Sequence, residues 1–169
     1  MSGATPWAER AREEANLLNP SFLAVLIERL STGHCERAAA GIPWPLIYLG
    51  IPVVLHKPTR DALPANVNTS MAAWTRAHPL LVGALPARAQ SLRPLVSEAL
   101  LFGLARREFV REGATLLPPA RRRRRPPGLT LRDPTDDFRD CATRAAFFGR
   151  WCGDSGLPAT VMALWGVRP

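Results

Sequence analysis

Trp44-Pro45-Leu46-Ile47-Tyr48-Leu49-Gly50-Ile51-Pro52-Val53-Val54-Leu55 is the stretch on which the fold turns. Pro45 suits the first position of a helix, where a missing N–H costs nothing. The residues after it are apolar nearly all round, which marks a helix buried on every side. Gly50 and Pro52 predict a kink, because proline removes a backbone donor and crowds the preceding turn. A strand over Val53-Val54-Leu55 is the competing reading. His56-Lys57-Pro58 ends the element. The run from Pro45 to Leu55 is too short for a bilayer, which needs about 20 residues.

Upstream, Asn19-Pro20 marks a helix start, with Asn as cap and Pro in the first turn. Phe22, Leu23, Leu26, Ile27 and Leu30 follow at helical spacing, and Ser31-Thr32-Gly33 is expected to stop them. Residues 1–15 read as an arm, with Trp7 as its anchor. Gly41 to Pro45 reads as a turn.

Downstream, Thr59 to Pro64 suggests one helical turn. Thr69 is expected to cap a helix through Met71, Ala72 and Trp74 that stops at His78-Pro79. Leu80 to Leu85 is ambiguous. Pro86 to Phe109 is helical, with Pro94 as a break or fresh start, and Leu95, Val96, Ala99, Leu100 and Leu104 make its stripe. The period then changes. Phe109 to Leu117 reads as a hairpin turning at Glu112-Gly113. A helix followed at once by a hairpin is the outline of a winged-helix tail.

Residues 118–130 hold prolines, five arginines and a glycine, and can pack no core. Thr135-Asp136-Asp137 then starts a helix, its carboxylates at the positive end of the dipole. Phe138, Cys141, Ala142, Ala145, Phe148 and Cys152 line one face until Gly153 and Gly156. A last helix is expected over Pro158 to Trp165. The resulting division is an arm (1–15), a helical core ending in the hairpin (16–117), a Pro/Arg-rich linker (118–130) and C-terminal helices packing on the core (131–169). The fold expected is mainly α: a compact bundle of five to seven short helices with one small β-hairpin, winged-helix-like.

Composition narrows the function more than it names it. The 169 residues suit one domain. The formal net charge is +8, but Arg121, Arg122, Arg123, Arg124 and Arg125 supply five of those charges. The basicity is therefore one local segment. Those guanidinium groups suit nucleic-acid phosphates or an acidic partner, and a solvated charged loop is the plainer alternative. No aromatic residues interleave with them, as single-strand stacking would require. The three cysteines are odd in number and lack metal-type spacing, and the opening residues are polar and charged. A reduced, cytoplasmic setting is the expectation.

The search for catalytic chemistry returns nothing specific. His34, His56 and His78 lie far apart, without paired ligand spacing. Cys141 and Cys152 share an apolar helix face and read as small buried hydrophobes. Cys35 has no base nearby. The Asp136, Asp137 and Asp140 cluster is explained by the helix dipole. Phosphate-binding glycine loops and a Gly-x-Ser-x-Gly elbow are absent. Neither a cofactor nor a metal is expected. Trp44, Trp74, Trp151 and Trp165 sit near turns or helix ends, where most read as core edges and one or two as exposed anchors; with Arg150 and Arg168 they are the candidate protein interface.

Several segments carry a family resemblance. They are Arg12 to Pro20; Gly41 to Leu46 with Pro52 to His56, Thr59-Arg60 and Leu63-Pro64; Trp74 and His78-Pro79; and Gly149-Arg150-Trp151 with Gly156, Pro158 to Val161 and Gly166 to Pro169. Together they resemble the middle component of bacterial three-component ABC-ATPase systems, whose best-known members are Lamassu-type defences against phages and plasmids. The resemblance implies a non-enzymatic bridging subunit. Its partners would be an SMC- or Rad50-like ABC ATPase and an effector, expected to be a nuclease, with DNA contact made through the complex and no membrane. The alternative from the residues alone is a winged-helix-like DNA-binding regulator. A small enzyme is a third reading, for which the search above offers no site.

Overall fold

The computed structural model describes residues 19–119 and 135–167. Among these residues the fold is mainly helical, with eight helices and one small antiparallel sheet. Helix α1 (Pro20–Cys35) starts as its sequence demands: the Asn19 side chain accepts from the Ser21 amide at 2.8 Å. It runs past Gly33, the expected stop. Gly33 is instead a point of close approach, where an added Cβ would collide with the backbone carbonyl of Ala146.

Strand β1 (Ile42–Pro43) leads straight into α2 (Trp44–Leu55). Eight of the twelve residues of α2 are buried, so the central-helix reading holds and the strand reading falls. Around α2 pack α1 and four later helices: α3 (Lys57–Ala62), α6 (Leu85–Ala105), α7 (Asp136–Asp154) and α8 (Pro158–Leu164). Between α3 and α6 lie α4 (Met71–Ala77) and α5 (Pro79–Gly83). Ser70, not Thr69, caps α4, accepting from the Ala73 amide. Helix α5 occupies the stretch that was ambiguous in sequence.

Helix α6 runs unbroken through Pro94. Pro94 is exposed, so water can satisfy the backbone carbonyl that loses its donor. The helix closes in a Schellman motif: Glu108 N–H donates to Gly103 O at 2.9 Å and Arg107 N–H to Leu104 O at 3.1 Å. Arg107 must therefore adopt φ +56°, which costs a residue with a Cβ roughly 1 kcal/mol. An Arg107→Gly chain is expected to gain about 1 kcal/mol and melt roughly 3 °C higher by calorimetry. An unchanged or lower melting temperature would mean that Arg107 makes a compensating contact.

The hairpin forms, with β2 (Val110–Glu112) and β3 (Thr115–Leu117), but turns one residue later than read, at Gly113-Ala114, with Gly113 at φ +57°. The sequence did not disclose the third strand. Strand β1, read as part of a turn, pairs with β3, Ile42 opposite Leu116, giving the order β1-β3-β2. Two residues are too few to show an alternation, and the strand exists only because β3 supplies partners. A helix, a strand, further helices and then a hairpin whose last strand pairs with the first is a winged-helix-like order.

Helix α7 is capped by Thr135, whose hydroxyl accepts from the Phe138 amide at 3.3 Å. It lies along α1, and α8 closes the bundle against α2 and α4. The expected N-terminal arm and most of the arginine-rich linker lie outside the described residues.

Candidate protein-interaction surface

The polar residues that looked most functional turn out to hold the helices together. Arg60 on α3 is 1% exposed. Its guanidinium donates to Val54 O at 2.8 Å, to Asp140 Oδ2 at 2.6 Å and to Asp137 Oδ1. One buried cation thus ties the end of α2 to the first turn of α7. The two carboxylates stay partly in water, 67% exposed at Asp137 and 43% at Asp140, so only the cation carries the full cost of burial. The helix dipole accounts for Asp136, which pairs with Arg139, but misses this long-range role of Asp137 and Asp140. Beside the hub, Thr59 receives Arg88 Nη1 at 3.3 Å and lies 2.7 Å from His56 Nδ1. Nothing local in the sequence links positions 60 and 140; only the fold does.

The tryptophans need correcting. Trp74, Trp151 and Trp165 are 5%, 1% and 0% exposed, so they are core residues and not surface anchors. They form an aromatic box: Trp74 to Trp165 at 5.2 Å, Trp74 to Trp151 at 5.8 Å and Phe148 to Trp165 at 5.6 Å between ring centroids. Each indole N–H has an acceptor: Ala62 O for Trp74, Thr69 O for Trp151 and Met71 Sδ for Trp165. Burial of these amphipathic rings is thereby satisfied. His78 stacks on Trp74 at 4.2 Å. Trp44 is half-buried against the core. Arg150 donates to Glu36 at 3.2 Å, joining α7 to the end of α1. Arg121, Arg122, Arg123, Arg124, Arg125 and Arg168 lie outside the described residues.

The exposed apolar surface is elsewhere. Leu80, Leu101, Val110 and Leu157 are the large exposed hydrophobics among the described residues. Leu101 lies on the outer face of α6 with Ala87, Gln90, Pro94 and Ala105, all exposed. Helical spacing puts these on the side opposite buried Val96, Ala99, Leu100 and Gly103. Strand β2 is exposed at every residue and forms one edge of the sheet. Three exposed arginines, Arg106, Arg107 and Arg111, lie in the stretch from the end of α6 into β2. A sequence search for tryptophan anchors missed this surface. The signal it contained was Leu101, an apolar residue out of phase with the stripe of α6.

Residues 7–169 match the family model described as ABC-three component (ABC-3C) system Middle Component 3. The chain belongs to that family. No curated protein and no solved structure matches it. As a middle component of a multi-component ABC system it has protein partners, which is the context for an exposed strand edge.

In this middle component no group of three or more His, Cys, Asp or Glu among the described residues could hold a metal ion. Burial lowers the His34 pKa, against a backbone hydrogen bond involving Ala40 that raises it. Burial also pushes the Cys141 thiol up to about 11 and the Cys152 thiol further still, so both are protonated at neutral pH. No described helix is long and apolar enough to cross a membrane.

Proposed function

We propose that this middle component is a non-catalytic subunit that bridges an SMC-like ABC ATPase and an effector in a bacterial complex acting against phages and plasmids. Membership of the family over nearly the whole chain carries the reading. The use of the chain's polar side chains supports it. Arg60 and Arg150 are engaged in holding helices together, His78 stacks on Trp74 of the helix it caps, and Cys141 and Cys152 are buried with raised thiol pKa values. What remains free is surface. Co-expression with the co-encoded ATPase and effector, followed by size-exclusion chromatography at moderate salt, tests the reading. Co-elution of all three proteins is the expected result. A chain that elutes alone in the presence of both sinks it.

The winged-helix-like strand order motivates a second reading, a DNA-binding regulator. It predicts duplex binding with base preference and a steep loss of affinity as salt rises. No binding at moderate salt, or binding without base preference, would dismiss it.

A further inference from the structure

We infer that the open edge of β2 receives an extended strand from a partner subunit, one carrying an acidic residue opposite Arg111 and an apolar residue opposite Val110. This deepens the bridging reading and rests on it.

The edge is built for pairing. Strand β3 occupies one side of β2, while the other side is an edge of the sheet, with Val110, Arg111 and Glu112 all exposed. An exposed edge presents unpaired N–H and C=O groups, which an added strand satisfies. Val110, 44% exposed, keeps apolar surface in water at the start of this edge. Arg111 is exposed, opposite Leu116 in the register, and among the described residues neither it nor the exposed Arg106 and Arg107 pairs with a carboxylate.

Charge selects the occupant. A second copy is disfavoured: full antiparallel overlap of two β2 edges about a two-fold axis places Arg111 opposite Arg111, and like charges directly opposite oppose pairing. Duplex DNA is disfavoured too. Glu112 lies beside the hairpin turn, and Arg93, at the margin of the outer face of α6 (Ala87, Gln90, Pro94, Leu101, Ala105), is the one exposed cation within that described helix, too little charge to follow a phosphate backbone. An acidic, partly apolar strand from another protein satisfies the backbone, Arg111 and Val110 together.

The test uses the full chain assembled with the co-encoded ATPase and effector. Hydrogen exchange on the free chain and on the complex reads the amides of Val110 to Glu112. Binding of each partner is titrated for the wild type, Arg111→Glu, Arg111→Lys and Val110→Pro, after a melt confirms that each variant folds. Slowed exchange at the edge in the complex is expected, with affinity about tenfold weaker for Arg111→Glu and near wild type for Arg111→Lys. A complex that forms with unprotected edge amides and indifferent variants overturns this inference and leaves the bridging reading standing. Absence of any complex overturns both. Protection already present in the free chain would assign the edge to the chain's own residues, and a concentration-dependent dimer lost in Val110→Pro would assign it to a second copy. Binding to duplex DNA weakened by Arg111→Glu, with partner binding unchanged, would assign it to nucleic acid. Each of these three results also overturns the inference.

Discussion

A Gly149→Ala chain is expected to lose about 3 kcal/mol of stability and to melt roughly 10 °C lower. Helices α1 and α7 cross at glycine on both sides. A Cβ on Gly149 would collide with the carbonyl of Leu30 and lie 2.8 Å from the amide nitrogen of His34. A Cβ on Gly33 would collide with the backbone of Ala146. These neighbours are backbone, so no rotamer change relieves the overlap, and the helices must separate. Separation would in turn loosen Trp151 and Phe148, which stand next in line on α7. Gly83→Ala is the control, because a Cβ there meets nothing within 4 Å. It should be neutral or slightly stabilising through the unfolded state. Denaturant titration of both variants decides the matter, and equal midpoints would show that the crossing tolerates a methyl group.

Arg60→Ala is expected to cost about 3 kcal/mol, near the lower end for breaking a buried ion pair. The discount follows from Asp137 and Asp140, which are partly exposed and can be solvated once their partner is gone. What cannot be recovered is the acceptor bond at Val54 O and the packing of the side-chain stem against the core. Arg60→Lys keeps the charge but not the fork that reaches three acceptors at once, so it should restore about half of the loss. Hydrogen exchange would place the damage: amides in the first turn of α7 should open before those of α2. A uniform loss across the chain would instead mean that Arg60 supports the whole core equally.

Local sequence logic succeeded where a short-range rule acts alone. Asn19 and Thr135 cap the helices they were expected to cap. The helix from Pro45 is buried on nearly all sides because its residues are apolar on nearly all sides. The hairpin turns at Gly113 because that position needs φ +57°, which glycine adopts without cost. The family, too, was legible in sequence, from segments such as Thr59-Arg60 and Gly149-Arg150-Trp151. The structure gives several of these residues physical duties: Arg60 is the hub between α3 and α7, Gly149 the helix crossing, and Trp151 part of the aromatic box.

The failures share a cause. Gly33 was read as a helix stop because glycine in a sequence is marked by flexibility, whereas its duty here is to be small beside another backbone. The tryptophans near helix ends were read as core edges with one or two interface anchors among them, and Trp74, Trp151 and Trp165 are all core because those ends converge on one another inside the protein. Strand β1 was read as turn because two residues show no period.

Amino-acid order by itself therefore determined the caps, the helical faces, the hairpin and the family, since each depends on neighbours a few positions away. Tertiary structure decided the partners of Arg60, the burial of Trp74, Trp151 and Trp165, the third strand and the open edge of β2. Each of those depends on residues tens of positions apart being brought within a few ångströms, and only the packing of the folded chain sets such distances.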